Sequence, residues 1–503
     1  MTNEQFVWIS YGVITLVELA VLTVKLPLML RRVVGATLIL LLAAVHAQIL
    51  LQEPFAFGIP FVVIGLYRIF NVMRFSYGRM HALYLYKATR LSSLAINGYQ
   101  IVIVIAYLLL PKLGVLAVKY LYVSLVVQSL AYWVLICVLH SNIKRSSANI
   151  TDFASSPSSV ELPTVTIAIP ARNETTDLEE CLRSIVSSDY KKLEILVLDD
   201  CSQERVSYLI KSFAHEGVRF VQGDEPGDTW LPKNAAYQKL LHEATGDIIV
   251  FCGVDVRIAT DTISKIVSCM STQSLQMLSI LPERSQDIRQ SNVIQLVRYI
   301  WELALPRQAL RRPPVLSTFW AIDRNKLLSF GGFSSVKRMI VPESYFARIC
   351  AEASSYRFLL NNELGIVSLK SAQDQRSTAV RVRYPQLHKS PEILINTTLV
   401  LIFVFILPYL SLIYGLVTKN NIVWIASMFE LILQIIFFWL AVDAVTLTKK
   451  FIHLLFALMV PVTDIYLMHW SMYVYEFGEV NWKQRNVCLP VMHVTPSLPK
   501  IEN

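Results

Sequence analysis

Residues 164–169 read Thr-Val-Thr-Ile-Ala-Ile and stop at Pro170, and residues 195–198 read Ile-Leu-Val-Leu and run into Asp199-Asp200. Both stretches are short, apolar and rich in branched side chains, the composition of strands buried on both faces. Between them Thr176 precedes LEECLRSIV, with Glu179 three residues on. That spacing predicts a capped helix whose apolar face is Leu178, Leu182 and Ile185. A helical pattern from Glu204 to Ala214, then VRFV at 218–221 and DIIVFC at 247–252, repeats the unit. Strands alternating with helices predict a parallel, Rossmann-like α/β sheet, with ligand contacts at the carboxyl ends of the strands.

Outside this stretch the composition changes. The 503 residues are 54% hydrophobic and only 17% charged, with a mean hydropathy of +0.48. Soluble domains carry about 25% charged residues, so a wholly soluble chain is excluded. Disorder is excluded as well, because it needs low hydrophobicity. Lys and Arg number 46 against 37 Asp and Glu, a net charge of +9, and the excess lies before Ser146: twelve against three up to Arg145. These basic residues flank apolar runs and form no polar basic face, which argues against nucleic acid as a partner.

The apolar runs are 6–24, 33–52, 54–73, 91–110 and 120–139 before the α/β stretch, and 393–417, 422–447 and 451–475 after it. A bilayer core of about 30 Å needs roughly 20 apolar residues of helix. About eight spans are therefore expected, five before the domain and three after. Lys25, Arg31 and Arg32 follow the first run, Arg74, Arg79, Lys87 and Arg90 the third, Lys144 and Arg145 the fifth. By the positive-inside rule those loops are cytoplasmic, which puts the N-terminus outside and the α/β domain inside the cell membrane. A cleavable signal peptide is disfavoured, since nothing basic precedes the first run. Three C-terminal spans would leave the tail outside, yet Lys483 and Arg485 lie near the membrane; the last run either crosses or lies along the interface. Glu18, Arg68, Glu430, Asp443 and Asp464 fall in or near these runs, where ionisable groups are costly. The expected organisation is a transmembrane region over 1–145, a Ser/Asn/Thr/Pro linker over 146–163, the α/β domain over 164–390, a second transmembrane region over 391–476 and a tail over 477–503.

The seven cysteines include no C-x-x-C pair, so neither a disulfide framework nor a zinc site is indicated. Asp199 and Asp200 end the second strand and Asp255 lies just past the fourth. Carboxylates there can hold a ribose or a base edge, and oxygen ligands suit Mg²⁺ or Mn²⁺ bridging phosphates; the alternative is helix capping. No G-x-G-x-x-G or G-x-x-x-x-G-K-[ST] occurs at the first strand, which argues against a dinucleotide oxidoreductase and a P-loop NTPase.

Pro170-Ala171-Arg172-Asn173-Glu174 after the first strand, Leu198-Asp199-Asp200-Cys201-Ser202 after the second, Trp230-Leu231-Pro232-Lys233-Asn234 ahead of a helix and the Asp255 region follow one another in order. Together they resemble family 2 glycosyltransferases of the GT-A fold, most closely the membrane-attached members that glycosylate lipids such as hopanoids or carotenoids. Leu327-Leu328-Ser329-Phe330-Gly331-Gly332-Phe333 is similar to the family's segment before its catalytic carboxylate, and Glu343 falls where that carboxylate is expected. The resemblance covers about 164–388. It implies a nucleotide-sugar donor bound by Pro170, Arg172, Glu174, Asp199, Asp200 and Lys233, a divalent Mg²⁺ or Mn²⁺ on Asp255, and Glu343 as general base. Two departures stand out: Gly253-Val254-Asp255 keeps only the second carboxylate of the family's Asp-x-Asp, and Gln-x-x-Arg-Trp is absent.

Arg381 and Arg383, near that missing motif, are further candidates for the donor diphosphate, and phospholipid headgroups are their alternative partners. Residues 286–306, with Ile288, Leu296, Ile300, Trp301 and Leu303 among Arg289 and Arg298, form a basic amphipathic pattern that suits a membrane surface or a packed core helix. The expectation is an inverting glycosyltransferase acting on a lipid or polyprenyl-phosphate acceptor at the cytoplasmic face. Its rivals are a processive polysaccharide synthase coupled to export and a non-catalytic membrane scaffold.

Overall fold

The computed structural model describes residues 3–23, 27–52, 55–77, 83–109, 116–147, 162–202, 206–227, 229–284, 293–307, 312–361, 364–446, 450–482 and 485–486. Most of the expected linker, Ile288 and Arg289 of the amphipathic stretch, and Lys483 with the tail beyond Asn486 lie outside the described residues. The chain forms two compact units. Met1–Val134 joins Pro391–Gln434, and Leu135–Ser390 joins Ile435–Asn503.

The first unit is helical: α1 (Asn3–Thr23), α2 (Leu28–Gln52), α3 (Phe55–Tyr77), α4 (Leu83–Leu109) and the start of α5 (Leu116–Ser146). Among the described residues five helical stretches are long and apolar enough to cross a membrane: Gln5–Leu22, Met29–Ile49, Leu121–Ser146, Pro391–Val417 and Asn421–Val445. Glu18 and Arg68 pair here at 2.7 Å, both about 1% exposed. Asn97 Nδ2 donates to the other Glu18 oxygen at 2.9 Å, and Arg68 Nη2 donates to Thr15 Oγ1 at 2.9 Å. Mutual neutralisation and hydrogen bonding make such a pair tolerable in an apolar bundle. The stretch Pro391–Val417 passes through a π-helical segment, Ile402–Ile406, which disturbs the regular backbone bonding. Gln128 Nε2 and Tyr132 OH of α5 donate to the Phe403 and Val404 carbonyls, both at 2.6 Å.

The second unit holds the α/β domain. Its strands β1 (Val165–Ala171), β2 (Leu193–Asp199), β3 (Val218–Gln222) and β4 (Ile248–Cys252) are mutually parallel in the order β3-β2-β1-β4. Helices α6 (Thr176–Val186), α7 (Val206–Ser212) and α8 (Pro232–Glu243) connect them. β1 is buried on both sides. Ile167 and Ile169 pack with Leu178, Leu182 and Ile185 of α6, whereas Ala168 packs with Tyr237, Leu240 and Leu241 of α8. Each such aliphatic side chain removed from water contributes about 1.5–3 kcal/mol.

Two expectations need correction. The sheet is mixed, not parallel throughout. Beyond β4, the strand Phe319–Asp323 runs antiparallel to β4 and to Met277–Leu281, and Tyr356–Leu360 closes the seven-stranded order. Helix α6 begins at Thr176 rather than being capped by it. Thr175 is the N-cap and makes no side-chain capping bond, and Glu179 instead pairs with Arg183 at 2.8 Å. Among the described residues none of the six cysteines forms a disulfide.

Candidate active site

Parallel pairing of β1 with both β2 and β4 sets the carboxyl ends of three strands side by side, with Ala171 level with Asp199. The loops leaving them wall a cavity of about 530 Å³. Pro170 and Glu174 line it from the β1–α6 loop, Lys233 from the first turn of α8, Asp255 from the turn after β4, and Arg381 from a helix at Ala372–Gln386. Five of the residues expected from the sequence thus meet in one place.

Asp255 is held by the short strand Val367–Ser368, which pairs antiparallel with Val256–Arg257. Ser368 Oγ donates to its Oδ2 at 2.6 Å. A side chain at Gly253 would begin 2.8 Å from Asp255 Oδ1. The missing first carboxylate therefore leaves space that the remaining carboxylate occupies. Among the described residues no group of three or more His, Cys, Asp or Glu gathers as a metal site. A single carboxylate is nonetheless enough for an ion that keeps waters and takes its other ligands from substrate phosphates, so Asp255 fits the metal role.

Lys233 lies in the first turn of α8, where a cation opposes the helix dipole. Its ammonium sits 3.5 Å from Glu343 Oε2 and 5.1 Å from the Tyr237 ring centroid. Burial holds its pKa below the ordinary lysine value, Glu343 opposes that shift, and Arg298 and Arg381 reinforce it. Burial likewise lowers Arg381 to about 10. Its Nη2 donates to Thr378 Oγ1 at 3.0 Å, and Lys370 Nζ donates to the same hydroxyl at 2.6 Å. Three cations, Lys233, Lys370 and Arg381, therefore line the cavity that Asp255 lines.

Glu343, the expected general base, is buried. It opens the helix Glu343–Glu352, is 0% exposed and does not line the cavity. Among the described residues neither of its carboxylate oxygens accepts a hydrogen bond, and its near neighbour is Lys233. A general base must touch the hydroxyl it deprotonates. The segment before Glu343 explains the burial: Phe333 and Phe346 pack with Trp320, Phe251 and Tyr237, and Gly332 has φ +57°. A β-carbon on Gly332 would meet Gln238 Oε1 at 2.8 Å, the atom that accepts from Phe333 N. Asn234 Nδ2 donates to the Val336 and Met339 carbonyls, both at 2.9 Å, and ties the start of α8 to the chain leading to Glu343.

Three other expected donor residues make contacts within the fold. Arg172 is buried, and its Nη1 donates to the Asp200 and Cys201 carbonyls at 2.5 and 3.1 Å. Asp199 Oδ1 accepts from Ser202 N at 3.0 Å. Arg383 is ion-paired with Asp464. Asp200 lines a neighbouring cavity of about 320 Å³ together with Gly223–Gly227 and Trp230. The sequence reading missed Asp177, Lys370 and Asp374, which also line the main cavity. Ser371-x-x-Asp374 was a usable signal: Ser371 caps the helix Ala372–Gln386 through Asp374 N.

Residues 166–332 match the profile described as Glycosyl transferase family 2. An N-acetylglucosaminyltransferase of Rhizobium leguminosarum bv. viciae is 34% identical over 115 residues, which are 22% of this chain and 26% of that protein. A 4,4'-diaponeurosporenoate glycosyltransferase of Staphylococcus haemolyticus is 28% identical over 120 residues, 24% of this chain and 32% of the relative. The match thus spans about a third or less of either relative's length. Among solved structures, the mannosyltransferase PcManGT from Pyrobaculum calidifontis, in complex with GDP-Man and Mn²⁺, aligns with a TM-score of 0.41 at 18% identity, covering 70% of this chain and 96% of that one. The matched stretch contains β1 to β4 and the Pro170, Lys233 and Asp255 segments quoted above, so residues 166–332 are a family 2 glycosyltransferase domain, preceded and followed in the chain by apolar helices long enough to cross a membrane.

Proposed function

We propose that this protein is a membrane-bound inverting glycosyltransferase that moves one sugar from a nucleoside diphosphate donor to a lipid-type acceptor. The observation that carries the reading is the single cavity lined both by Asp255 and by Lys233, Lys370 and Arg381. Departure of a nucleoside diphosphate builds negative charge on its phosphates, and preorganised cations in a partly desolvated site stabilise that charge. A divalent ion held by Asp255 would add Lewis-acid stabilisation of the same oxygens. Asp200 and the adjoining smaller cavity suit the nucleoside. Glu174, Asp177 and Asp374 line the cavity that an acceptor hydroxyl would enter and Glu343 does not, so these three are further base candidates; a phosphate acceptor is already ionised and needs no base. Purified protein supplied with UDP- or GDP-sugars and a lipid extract is expected to release nucleoside diphosphate and yield a lipid bearing one sugar. Absence of any release would favour the scaffold, and long products a processive synthase.

The same reading bears on topology. Helix Val460–Phe477 meets Lys450–Leu458 at 54°, and one of its faces is bonded along the helix Ala372–Gln386. Arg383 Nε donates to Asp464 Oδ1 at 2.7 Å, Arg376 Nη2 to Tyr466 OH at 3.0 Å, and Tyr384 OH to Glu476 Oε1 at 2.8 Å. If Val460–Phe477 crossed the bilayer, it would draw three arginines of its partner into hydrocarbon, at about 2.5–3.5 kcal/mol each. Away from these bonds it exposes Trp470, Tyr473 and Phe477, aromatic residues suited to the headgroup level. We place this helix along the interface, so that two C-terminal spans return the chain to its starting side. Reporters fused after Arg145 and after Asn486 are expected to label as cytoplasmic, and one at Lys112 as external. External labelling at Asn486 would mean that the helix crosses.

A further inference from the structure

A second cavity, of about 700 Å³, shares no lining residue with the first. Arg145, Arg307, Arg348 and Arg357 line it, and Glu352 is the one carboxylate on its described wall. Nothing in the transfer reaction uses it. Four guanidinium groups facing one space repel each other, and a folded chain tolerates this where an anion completes the set. Two of the four also hold the chain: Arg307 Nη2 donates to Ser146 Oγ at 2.9 Å, and Arg357 Nη2 to the Ser147 carbonyl at 3.0 Å. The C-terminal end of α5 accounts for some of this positive charge through its dipole, but that end carries only about half an elementary charge. Arg307 retains a buried Nε without a hydrogen-bond partner among the described residues, and its guanidinium lies 5.6 Å from the Phe358 ring centroid. Burial first, with Arg145 adding to it, lowers its pKa to about 10. Arg145 stands in the last turn of α5, at the end of the stretch Leu121–Ser146 that is long and apolar enough to span a membrane.

We propose that this four-arginine cavity is a binding site for a phosphoryl anion, distinct from the donor cavity and placed where α5 ends. Planar guanidinium forks match phosphate oxygens in pairs, which is why arginines gather at such sites. The phosphoryl group can belong to an anionic lipid at the headgroup level or to a free phosphate in solution, since both present the same oxygens.

The test uses the full chain in detergent, with dioctanoyl phosphatidylglycerol, dioctanoyl phosphatidylcholine and inorganic phosphate as probes. Native mass spectrometry counts the bound lipid, and titration gives the affinity. Arg145→Gln and Arg348→Gln are the informative variants, because both side chains are exposed and neither carries a scaffold bond given above. Arg183→Gln, on α6 outside the cavity, is the control. Phosphatidylglycerol is expected to bind more tightly than phosphatidylcholine, and each cavity variant to weaken it about tenfold, the loss of one charge-assisted contact. Phosphatidylglycerol binding that inorganic phosphate does not displace identifies a lipid headgroup. Equal binding of inorganic phosphate, with the same dependence on Arg145 and Arg348, identifies a free phosphate. Nucleotide-sugar binding unchanged in both variants shows that the fold is intact. Probe affinity unaltered by Arg348→Gln and Arg145→Gln in a folded protein, or equal affinity for the two lipids together with no binding of inorganic phosphate, overturns the proposal.

Discussion

Glu343→Gln is expected to weaken donor binding by about tenfold to a hundredfold, the cost of losing a charge-assisted interaction worth roughly 1.5–3 kcal/mol. The reason lies in Lys233, whose ammonium is 3.5 Å from Glu343 Oε2 and is the cavity's link to that carboxylate. Burial already holds the Lys233 pKa below its ordinary value, with Glu343 pulling it back up. Glutamine removes the opposing charge, so the pKa falls further and the neutral amine appears at lower pH. Donor binding that needs the cation should then decline with rising pH, and the decline should begin at lower pH in the variant than in the wild type. A general base gives the opposite pattern: donor affinity kept, kcat lost with a hydroxyl acceptor, and no shift in the binding profile. Isothermal titration with a nucleoside diphosphate across pH, alongside steady-state transfer, separates the two roles. Intact affinity together with lost kcat would identify Glu343 as the base.

Asp255→Ala should remove the metal-dependent part of nucleotide binding and lower transfer by about 10²–10³-fold, the scale seen when one preorganised electrostatic contact to a transition state is deleted. The fold should survive. Asp255 is only partly buried, and the carbonyl that accepts from Leu369 N is backbone and stays. The side chain's loss removes the hydrogen bond from Ser368 Oγ, at about 1 kcal/mol. Nucleotide affinity measured with Mn²⁺ and with chelator decides the matter. A wild-type metal response in the variant would remove Asp255 from the site.

Local chemistry made part of this protein legible. The apolar runs that became β1, β2 and β4 are largely buried, the edge strand β3 exposes Arg219 and Gln222, and the alternation of strand and helix around them specified an α/β domain before any contact was known. Pro170, Glu174 and Lys233 were marked by the family resemblance, Asp255 by its place just past a strand and Arg381 by its nearness to the absent Gln-x-x-Arg-Trp, and all five line one cavity. The apolar helices on either side followed from length and hydropathy, and their buried Glu18 and Arg68 were visible as anomalies without visible partners.

What the sequence by itself determined is the set of elements and the chemistry available at the carboxyl ends of the first four strands. Only the tertiary structure decided how that chemistry is spent. Sequence spacing cannot show that Arg172 is used on the Asp200 and Cys201 carbonyls, or that Arg383 meets Asp464, 81 residues away. It cannot show that the chain reverses into an antiparallel pairing at Phe319–Asp323, because an apolar strand buried on both faces reads the same in either direction. Glu343 is the sharpest case. The family resemblance of the segment before it marked it for catalysis, and only the fold shows that it is buried with its carboxylate 3.5 Å from the Lys233 ammonium. Backbone propensity and apolar periodicity act over a few residues and are written locally; the burial and pairing of a charge depend on which distant side chains fold against it.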